Sequence, residues 1–172
     1  EVLEKELKLT VNQRKTHLAN LDEGVAFLSF VIYQSYTLIK ESKVDGLKAK
    51  LKLATRRNTP VNLEKVIRDI NPILRGFVNY FKLANCKTVL RNVMSWLRRR
   101  LRALQMKLWK TPAKLHRKLR QLGYKGEFKQ IKMASWKNAA CQQAHMAMPN
   151  AWFKEIGLYH PPQLETGQLT LI

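Results

Sequence analysis

Arginines crowd one stretch of the sequence, where Arg98, Arg99 and Arg100 are consecutive and Arg91 and Arg102 lie nearby. A guanidinium group can bind phosphate oxygens through two parallel hydrogen bonds, and neighbouring aromatic rings can stack on exposed bases. A run of charge is usually a solvated helix face. Acids are missing from this neighbourhood, however, and their absence favours contact with phosphate groups.

Positive charge is concentrated in less than a third of the chain. The sequence has 172 residues and a formal net charge of +20. Residues 82–132 contain 16 lysines and arginines and a single acid, Glu127, so they hold +15 of that charge, whereas residues 1–40 and 133–172 are each neutral. A surface that only needs to be soluble mixes acids with bases. Because a polyanion relieves self-repulsion on this scale, nucleic acid is the expected partner.

No catalytic or metal-binding pattern accompanies this charge. The four histidines are scattered without metal-ligand spacing, and the adjacent acids Asp22 and Glu23 are typical of a turn. Cys86 and Cys141 have no further cysteine partners, which predicts two small buried apolar residues and not a disulfide framework or zinc site. No apolar run approaches the ~20 residues that span a bilayer.

The sequence predicts strands before about residue 41 and helices after it. Residues 25–39 are rich in β-branched and aromatic side chains, which predicts one strand and then a second strand or hairpin arm around 36–39. A turn at residues 22–24 precedes them. Further upstream, residues 2–9 are predicted to be the end of a helix.

Two helices are predicted next. Ser42 could cap a helix over about 43–57, and Asn62 could cap the following one. In that second helix the apolar side chains keep to one narrow stripe, which stays in phase across Pro72. Because proline removes a backbone donor and clashes with the preceding turn, either a kinked continuous helix or two nearly collinear segments would fit.

A third long helix is predicted over about 86–109 and brings the arginines together. At 100° per residue, Arg91, Arg98 and Arg102 lie on one side, about a quarter-turn from the apolar stripe, while Arg99 points outward. The tryptophans in and after this region are expected in the core more often than as base-stacking platforms, and they are Trp96, Trp109 and Trp136.

Shorter helices complete the prediction. Pro112 begins a basic helix that Gly123 ends, another helix covers about 137–147, and Asn150 caps a last one that Gly157 ends.

Several segments, taken in order, carry a family resemblance. INPILRGFVNYF at 70–81, followed by a helix with WLRRRLR, resembles the maturase-specific (X, or thumb) domain of group II intron-encoded reverse transcriptases. LKLTVNQRKT at 7–16 and GVAFLSF at 24–30 are similar to the last strands of the polymerase palm in that family. HMAMPNAWFKEIGL at 145–158 is similar to the end of some bacterial members.

This resemblance implies a mainly α fold, with a three-helix thumb-like bundle and further short helices after a small strand remnant of a palm sheet. It divides the chain into 1–41, the end of the palm; 42–132, the basic maturase-specific domain; and 133–172, a C-terminal extension and tail. Ser29 stands where the family usually has glycine, and Phe77 where it usually has tryptophan. Both differences are mild.

The resemblance also implies a function. The chain is expected to be the C-terminal piece of an RNA-directed DNA polymerase whose catalytic aspartates lie elsewhere, so it should not be catalytic alone. No cofactor is expected in this chain, whereas the parent polymerase would use Mg²⁺. The expected partners are group II intron RNA, RNA/DNA primer–template duplex and the remainder of the reverse transcriptase. No membrane partner is expected, and the predicted location is the bacterial cytoplasm. The protein would neutralise phosphates so that RNA helices can pack.

RNA contacts and crosslinks are predicted within residues 75–120 and not within 133–172. Arg75 and Asn79 could instead form a structural hydrogen-bonding pair, and Gly76 between them could admit either a helix or an RNA strand. The predicted RNA-binding residues are Arg75, Asn79, Lys82, Arg91, Arg98, Arg99, Arg102, Lys107, Lys110, Lys114, Arg117, Lys118 and Arg120.

Two other functions stay open at this point. One is a generic basic helical nucleic-acid-binding domain, against which the order of the motifs argues. The other is a structural helical protein whose charge serves solubility, against which the concentration of charge argues. The first ~35 residues are expected to be poorly ordered or repacked without the rest of a sheet, because an unpaired strand edge is a liability.

Overall fold

The computed structural model describes residues 19–58 and 61–164, together with residues 5, 6 and 8. The described chain is mainly helical, with a small three-stranded antiparallel sheet before the helices, which confirms the predicted fold class. Most of the helix predicted at 2–9 and the strands predicted at 7–16 lie outside the described residues.

The three short strands form two consecutive hairpins. β1 (Val25–Phe27) pairs with β2 (Phe30–Ile32), which pairs in turn with β3 (Thr37–Ile39), both antiparallel. The sequence predicted a single strand before residue 36, but a two-residue turn at Leu28–Ser29 divides it. Leu28 takes a φ of +53° in this turn, a conformation that usually marks itself in a sequence by glycine or asparagine.

The predicted turn before β1 is present and requires its glycine. The Gly24 N–H donates to the Leu21 carbonyl at 3.3 Å. Gly24 has a φ of +80°, and a Cβ added there would lie 2.6 Å from the ring of Tyr33. Both the backbone angle and the close ring therefore exclude a side chain at this position.

Three long helices follow and contact one another pairwise. The first begins one residue before Ser42, with Lys40 at the cap position and no side-chain cap. It ends three residues earlier than predicted, where the Thr55 hydroxyl donates to the Leu51 carbonyl at 2.6 Å. The helices are α1 (Glu41–Ala54), α2 (Leu63–Tyr80) and α3 (Lys87–Trp109).

Helix α2 is continuous through Pro72, which decides between the two alternatives that the sequence left open. Its predicted cap is confirmed, because the Asn62 side chain accepts a hydrogen bond from the Lys65 N–H at 2.9 Å. The buried face of α2 consists of Leu63, Val66, Ile67, Ile70, Leu74 and Val78.

Helix α3 lies at the centre of a single hydrophobic core. That core includes buried residues from Ile39 to Leu158. Full burial of one valine, leucine or methionine side chain stabilises the folded state by about 1.5–3 kcal/mol. The buried hydrophobic residues of α3 are Leu90, Val93, Met94, Leu97, Leu101, Ala103, Leu104 and Met106.

The rest of the described chain forms short elements. The helix predicted over 137–147 is divided at Cys141 into a 3-10 turn and a short helix. Pro149 takes the cap position predicted for Asn150. The elements are α4 (Pro112–Gln121), the 3-10 turn Lys137–Ala140, α5 (Gln142–Ala147), α6 (Asn150–Glu155) and the 3-10 turn Pro162–Leu164.

One side chain ties the C-terminal segment to α2. The Asn71 amide nitrogen donates to the Gly157 carbonyl at 2.8 Å, and the Asn71 amide oxygen accepts from the Tyr159 N–H at 2.8 Å. The partners lie 86 and 88 residues away along the chain. This two-point contact, the Asn71 clamp, fixes the segment that follows α6.

Candidate nucleic-acid interface

Two of the predicted arginines share one edge of α3. Arg91 and Arg98 are seven residues apart, so they differ by only about 20° around the helix and lie about 10 Å apart along its axis. Arg91 is exposed and Arg98 half-buried. We call this side of the helix the 91/98 edge.

The 91/98 edge faces a cavity of about 330 Å³ that the C-terminal segment completes. None of the lining side chains among the described residues carries a negative charge. The lining residues are Arg91, Arg98, Asn150, Ala151, Lys154, His160 and Leu164. RNA contacts were predicted to spare residues 133–172, so Lys154 and His160 were not among the predicted residues. Their position depends on contacts between distant parts of the chain.

Burial and neighbouring positive charge shift the pKa values of Arg98 and His145. Burial lowers the pKa of the Arg98 guanidinium. Burial, and then the charges of Arg102 and Arg98, lower the pKa of His145. His145 is therefore neutral at neutral pH and gains a proton only under more acidic conditions than an ordinary histidine.

Arg102 belongs to the interior and not to the interface. It is 2% exposed, and its guanidinium donates to the Met148 carbonyl at 2.9 Å and to the Asn150 side-chain oxygen at 3.1 Å. It also lies over the ring of Phe153, 5.2 Å from the centroid. Burial, and then the neighbouring charge of Arg98, lower the pKa of Arg102 to about 10. The prediction that Arg102 contacts RNA is corrected, because the loop before α6 covers it.

Arg99 was predicted to point outward, but it packs against an aromatic ring. Its guanidinium lies 5.0 Å from the centre of the Trp136 ring, and Arg100 lies 5.6 Å from that ring and 5.2 Å from the ring of Trp96. Cations on ring faces are stabilised by about 0.5–2 kcal/mol. Both tryptophans are thus engaged by arginines, which agrees with their expected structural role.

Helix α4 carries the next group of predicted residues. Lys114, Arg117 and Lys118 surround a cavity of about 230 Å³ together with half-buried Trp109. Arg120 lines a second cavity of about 340 Å³, where Tyr124 is its aromatic neighbour. Each cavity combines cations with an exposed or half-exposed ring, the combination that suits phosphate and stacked bases.

Two further predicted lysines flank the end of α3. Lys110 is exposed in the linker to α4 and has a φ of +64°. Lys107 is half-buried, and its ammonium group donates to the Asn58 side-chain oxygen at 2.8 Å.

The predicted residues of α2 and its end are exposed. Arg75 does not bond to Asn79; its guanidinium lies 5.5 Å from the centre of the Tyr159 ring. Apart from the backbone of its own helix, no described residue approaches within 4 Å of the place where a Gly76 Cβ would be, so the close approach of another helix, one of the two alternatives, is not seen there. Asn79 and Lys82 face solvent.

Metal binding and membrane insertion find little support among residues 19–58 and 61–164. No group of three or more metal-binding side chains occurs among the described residues. No helix among these residues has the length and hydropathy to cross a bilayer. Cys86 is buried and Cys141 half-buried, both with free thiols, and burial raises the pKa of Cys86.

Comparison with known proteins adds one finding. Residues 44–123 match the family model described as group II intron, maturase-specific domain. The match begins inside α1 and ends two residues after α4, so it covers nearly all of the three-helix bundle and all thirteen predicted contact residues. No curated protein matches the chain.

Proposed function

We propose that this chain, whose residues 44–123 are a group II intron maturase-specific domain, binds structured intron RNA through the surface of α3, α4 and residues 150–160. The maturase-related function follows from the domain itself. The cavity at the 91/98 edge, whose described lining contains cations and no acid, is the observation that carries the assignment of RNA binding to this surface.

The chemistry of that cavity fits a phosphate backbone. Arg91 and Arg98 supply guanidinium groups, Lys154 supplies an ammonium group, and the described lining offers no carboxylate to compete with phosphate. The grooves of A-form RNA hide most base edges, so recognition of shape and backbone should dominate. The protein would act by neutralising phosphates where RNA helices approach each other.

The finer roles are part of the same proposal. The chain would assist splicing and intron mobility, grip RNA/DNA primer–template duplex, and work together with the remainder of a reverse transcriptase. It would supply no catalytic group of its own. Mg²⁺ would be used by the folded RNA and by the parent polymerase.

The salt dependence of binding tests the proposal. Fluorescence anisotropy with the full 172-residue chain and a labelled, folded group II intron RNA should give an affinity that falls steeply with salt. The expected slope of log affinity against log salt is about −0.7 to −0.9 for each phosphate neutralised. A flat response would contradict the proposal.

A charge-matched pair of variants locates the contact. Arg91→Gln should reduce the magnitude of the slope by about 0.7–0.9, because one phosphate contact is lost. Lys43→Gln removes one exposed charge from α1 and should leave the slope almost unchanged. Equal effects of the two substitutions would mean that net charge, and not the 91/98 edge, governs binding.

Competition separates this function from a generic nucleic-acid binder. Unlabelled folded intron RNA should displace the labelled RNA at lower concentration than double-stranded DNA or unstructured RNA does at the same salt. Equal displacement by all three would favour the generic binder.

A further inference from the structure

A further basic cavity lies on the other side of α3, at the end of α1. Its volume is about 670 Å³, within the range of about 300–1,000 Å³ that holds ligand groups. Four of its residues are cations and none is an acid. The lining residues are Ala49, Lys52, Leu53, Arg56, Arg57, Asn58 and Arg100. We call this cavity the α1 cleft.

Arg100 is held rigidly at the base of the α1 cleft. Its Nε donates to the Thr55 hydroxyl at 2.7 Å, and its Nη2 donates to the Lys52 and Thr55 carbonyls at 3.3 and 3.2 Å. These carbonyls belong to the last turn of α1 and would otherwise present the negative end of the helix dipole to the cleft. Arg100 therefore provides a fixed positive charge in the cleft. It also covers the carbonyl oxygens that would repel an anion.

Positive charges crowd each other in the α1 cleft. The Arg57 Nη2 donates to the Ala134 carbonyl, while the Arg57 Nε is buried without a hydrogen-bond partner. Burial, and then the charge of Arg57, lower the pKa of Arg100. An anion in the cleft would relieve this repulsion and could offer an acceptor to the cleft's donors.

The lining is suited to phosphate and poorly suited to other ligands. The apolar lining side chains are Ala49 and Leu53, and the neutral amide of Asn58 is already bonded to Lys107. Such a lining has no aromatic ring for a base and little apolar surface for a hydrophobic ligand. A backbone phosphate needs only cations and donors.

The α1 cleft is separate from the 91/98 edge. Arg98 and Arg100 are two residues apart, so their side chains diverge by about 200° around α3. Lys107 lies seven residues beyond Arg100 and continues the same line. The helix thus carries basic groups on two nearly opposite edges.

From this arrangement we infer that the α1 cleft binds a backbone phosphate of RNA, so that α3 is contacted by nucleic acid on two nearly opposite edges. The inference rests on the proposed RNA-binding function. It adds to Arg100 a site at residues 49–58, none of which was among the predicted contacts.

Two double variants of α1 test the inference. Lys52→Gln with Arg56→Gln removes two charges from the cleft. Lys43→Gln with Lys50→Gln removes two exposed charges from the same helix, about half a turn away from Lys52. Salt titrations of binding to folded group II intron RNA should show that the cleft variant loses about 0.7–0.9 of the slope magnitude, which corresponds to the one phosphate bound in the cleft, and the control much less.

The outcomes distinguish the two proposals. One outcome is that the cleft variant shows the same salt dependence as the control while binding of the unsubstituted chain depends steeply on salt. That result overturns the assignment of the α1 cleft and leaves the proposed function standing. Failure of the unsubstituted chain to bind RNA overturns both. Circular dichroism should give both double variants the unfolding midpoint of the unsubstituted chain, because the substituted side chains are exposed.

A footprint on the unsubstituted chain avoids any effect of substitution on folding. Phenylglyoxal modifies arginine, and mass spectrometry can report its extent at Arg56 and Arg57. Folded intron RNA should protect both arginines severalfold, whereas inorganic phosphate at the same phosphate concentration should not. Protection by inorganic phosphate alone, or no protection by RNA, would overturn the assignment to an RNA backbone.

Discussion

The Asn71 clamp gives the sharpest prediction about how the interface is built. Asn71→Ala removes a donor to the Gly157 carbonyl and an acceptor for the Tyr159 N–H. The substitution should lower the free energy of unfolding and also weaken RNA binding, because the clamp fixes the segment after α6, which carries His160 of the cavity at the 91/98 edge.

The magnitude follows from the two partners. Gly157 is exposed, so water can replace the lost donor, and this bond contributes about 0.5–1 kcal/mol. Tyr159 is half-buried, so loss of an acceptor for its N–H costs about 1–2 kcal/mol. Alanine favours a helix over asparagine by about 0.5 kcal/mol. The net loss is about 1.5 kcal/mol, or about 3–6 °C in Tm for a chain of this size.

Urea unfolding followed by circular dichroism measures this loss, with Asn79→Ala as the control on the same helix. Asn79 is exposed and makes no such contact, so its substitution should change stability by less than about 0.5 kcal/mol. Asn71→Asp keeps the acceptor for the Tyr159 N–H and should lie between the two. If Asn71→Ala unfolds at the same urea concentration as Asn79→Ala, the clamp does not hold the C-terminal segment.

Two further predictions concern the sheet and the charged cavity. Gly24→Ala should lower the free energy of unfolding in urea by about 1–3 kcal/mol, because its φ is +80° and the Tyr33 ring occupies the space of the new methyl group. Gly76→Ala, where the space is open, should raise it by about 0.5–1 kcal/mol. The opposite order would refute the turn geometry. NMR titration of His145 should give a midpoint below 6.5, the ordinary value for histidine. The free energy of unfolding should therefore fall as the pH drops from 6.5 through the His145 midpoint, because the unfolded chain binds the proton more readily than the folded chain. Bound RNA should raise the midpoint by neutralising Arg98, and no shift on binding would place the RNA elsewhere.

Local signals predicted the helices well. The side chain and spacing of Asn62 predicted the start of α2, and the apolar stripe predicted its buried face, because both depend on residues within a few turns. The charge of residues 82–132 predicted which helices would be basic. Gly123 was predicted to end the basic helix, and it has the positive φ that is typical of the residue after a helix.

Long-range contacts could not be predicted in the same way. Periodicity placed Arg102 on a basic side of α3, but whether a side chain there meets solvent depends on the loop before α6, 46 residues away. The same applies to Arg100, whose partners on α1 lie 45 residues back. The turn at Leu28 was missed because it contains neither glycine nor asparagine. Whether the remaining predicted residues contact RNA stays a prediction.

The opposite placement of the two basic edges has a consequence for the spacing of RNA segments. An α-helix with its side chains is about 10–12 Å across, which is close to the Debye length of about 8 Å at physiological ionic strength. Two phosphate backbones seated on opposite edges of α3 would otherwise repel each other across that gap. The helix, about 35 Å long from its 23 residues, would then act as a rigid multivalent counterion between them. Unlike diffusible magnesium, it would fix the angle and distance between the two backbones as well as screen them.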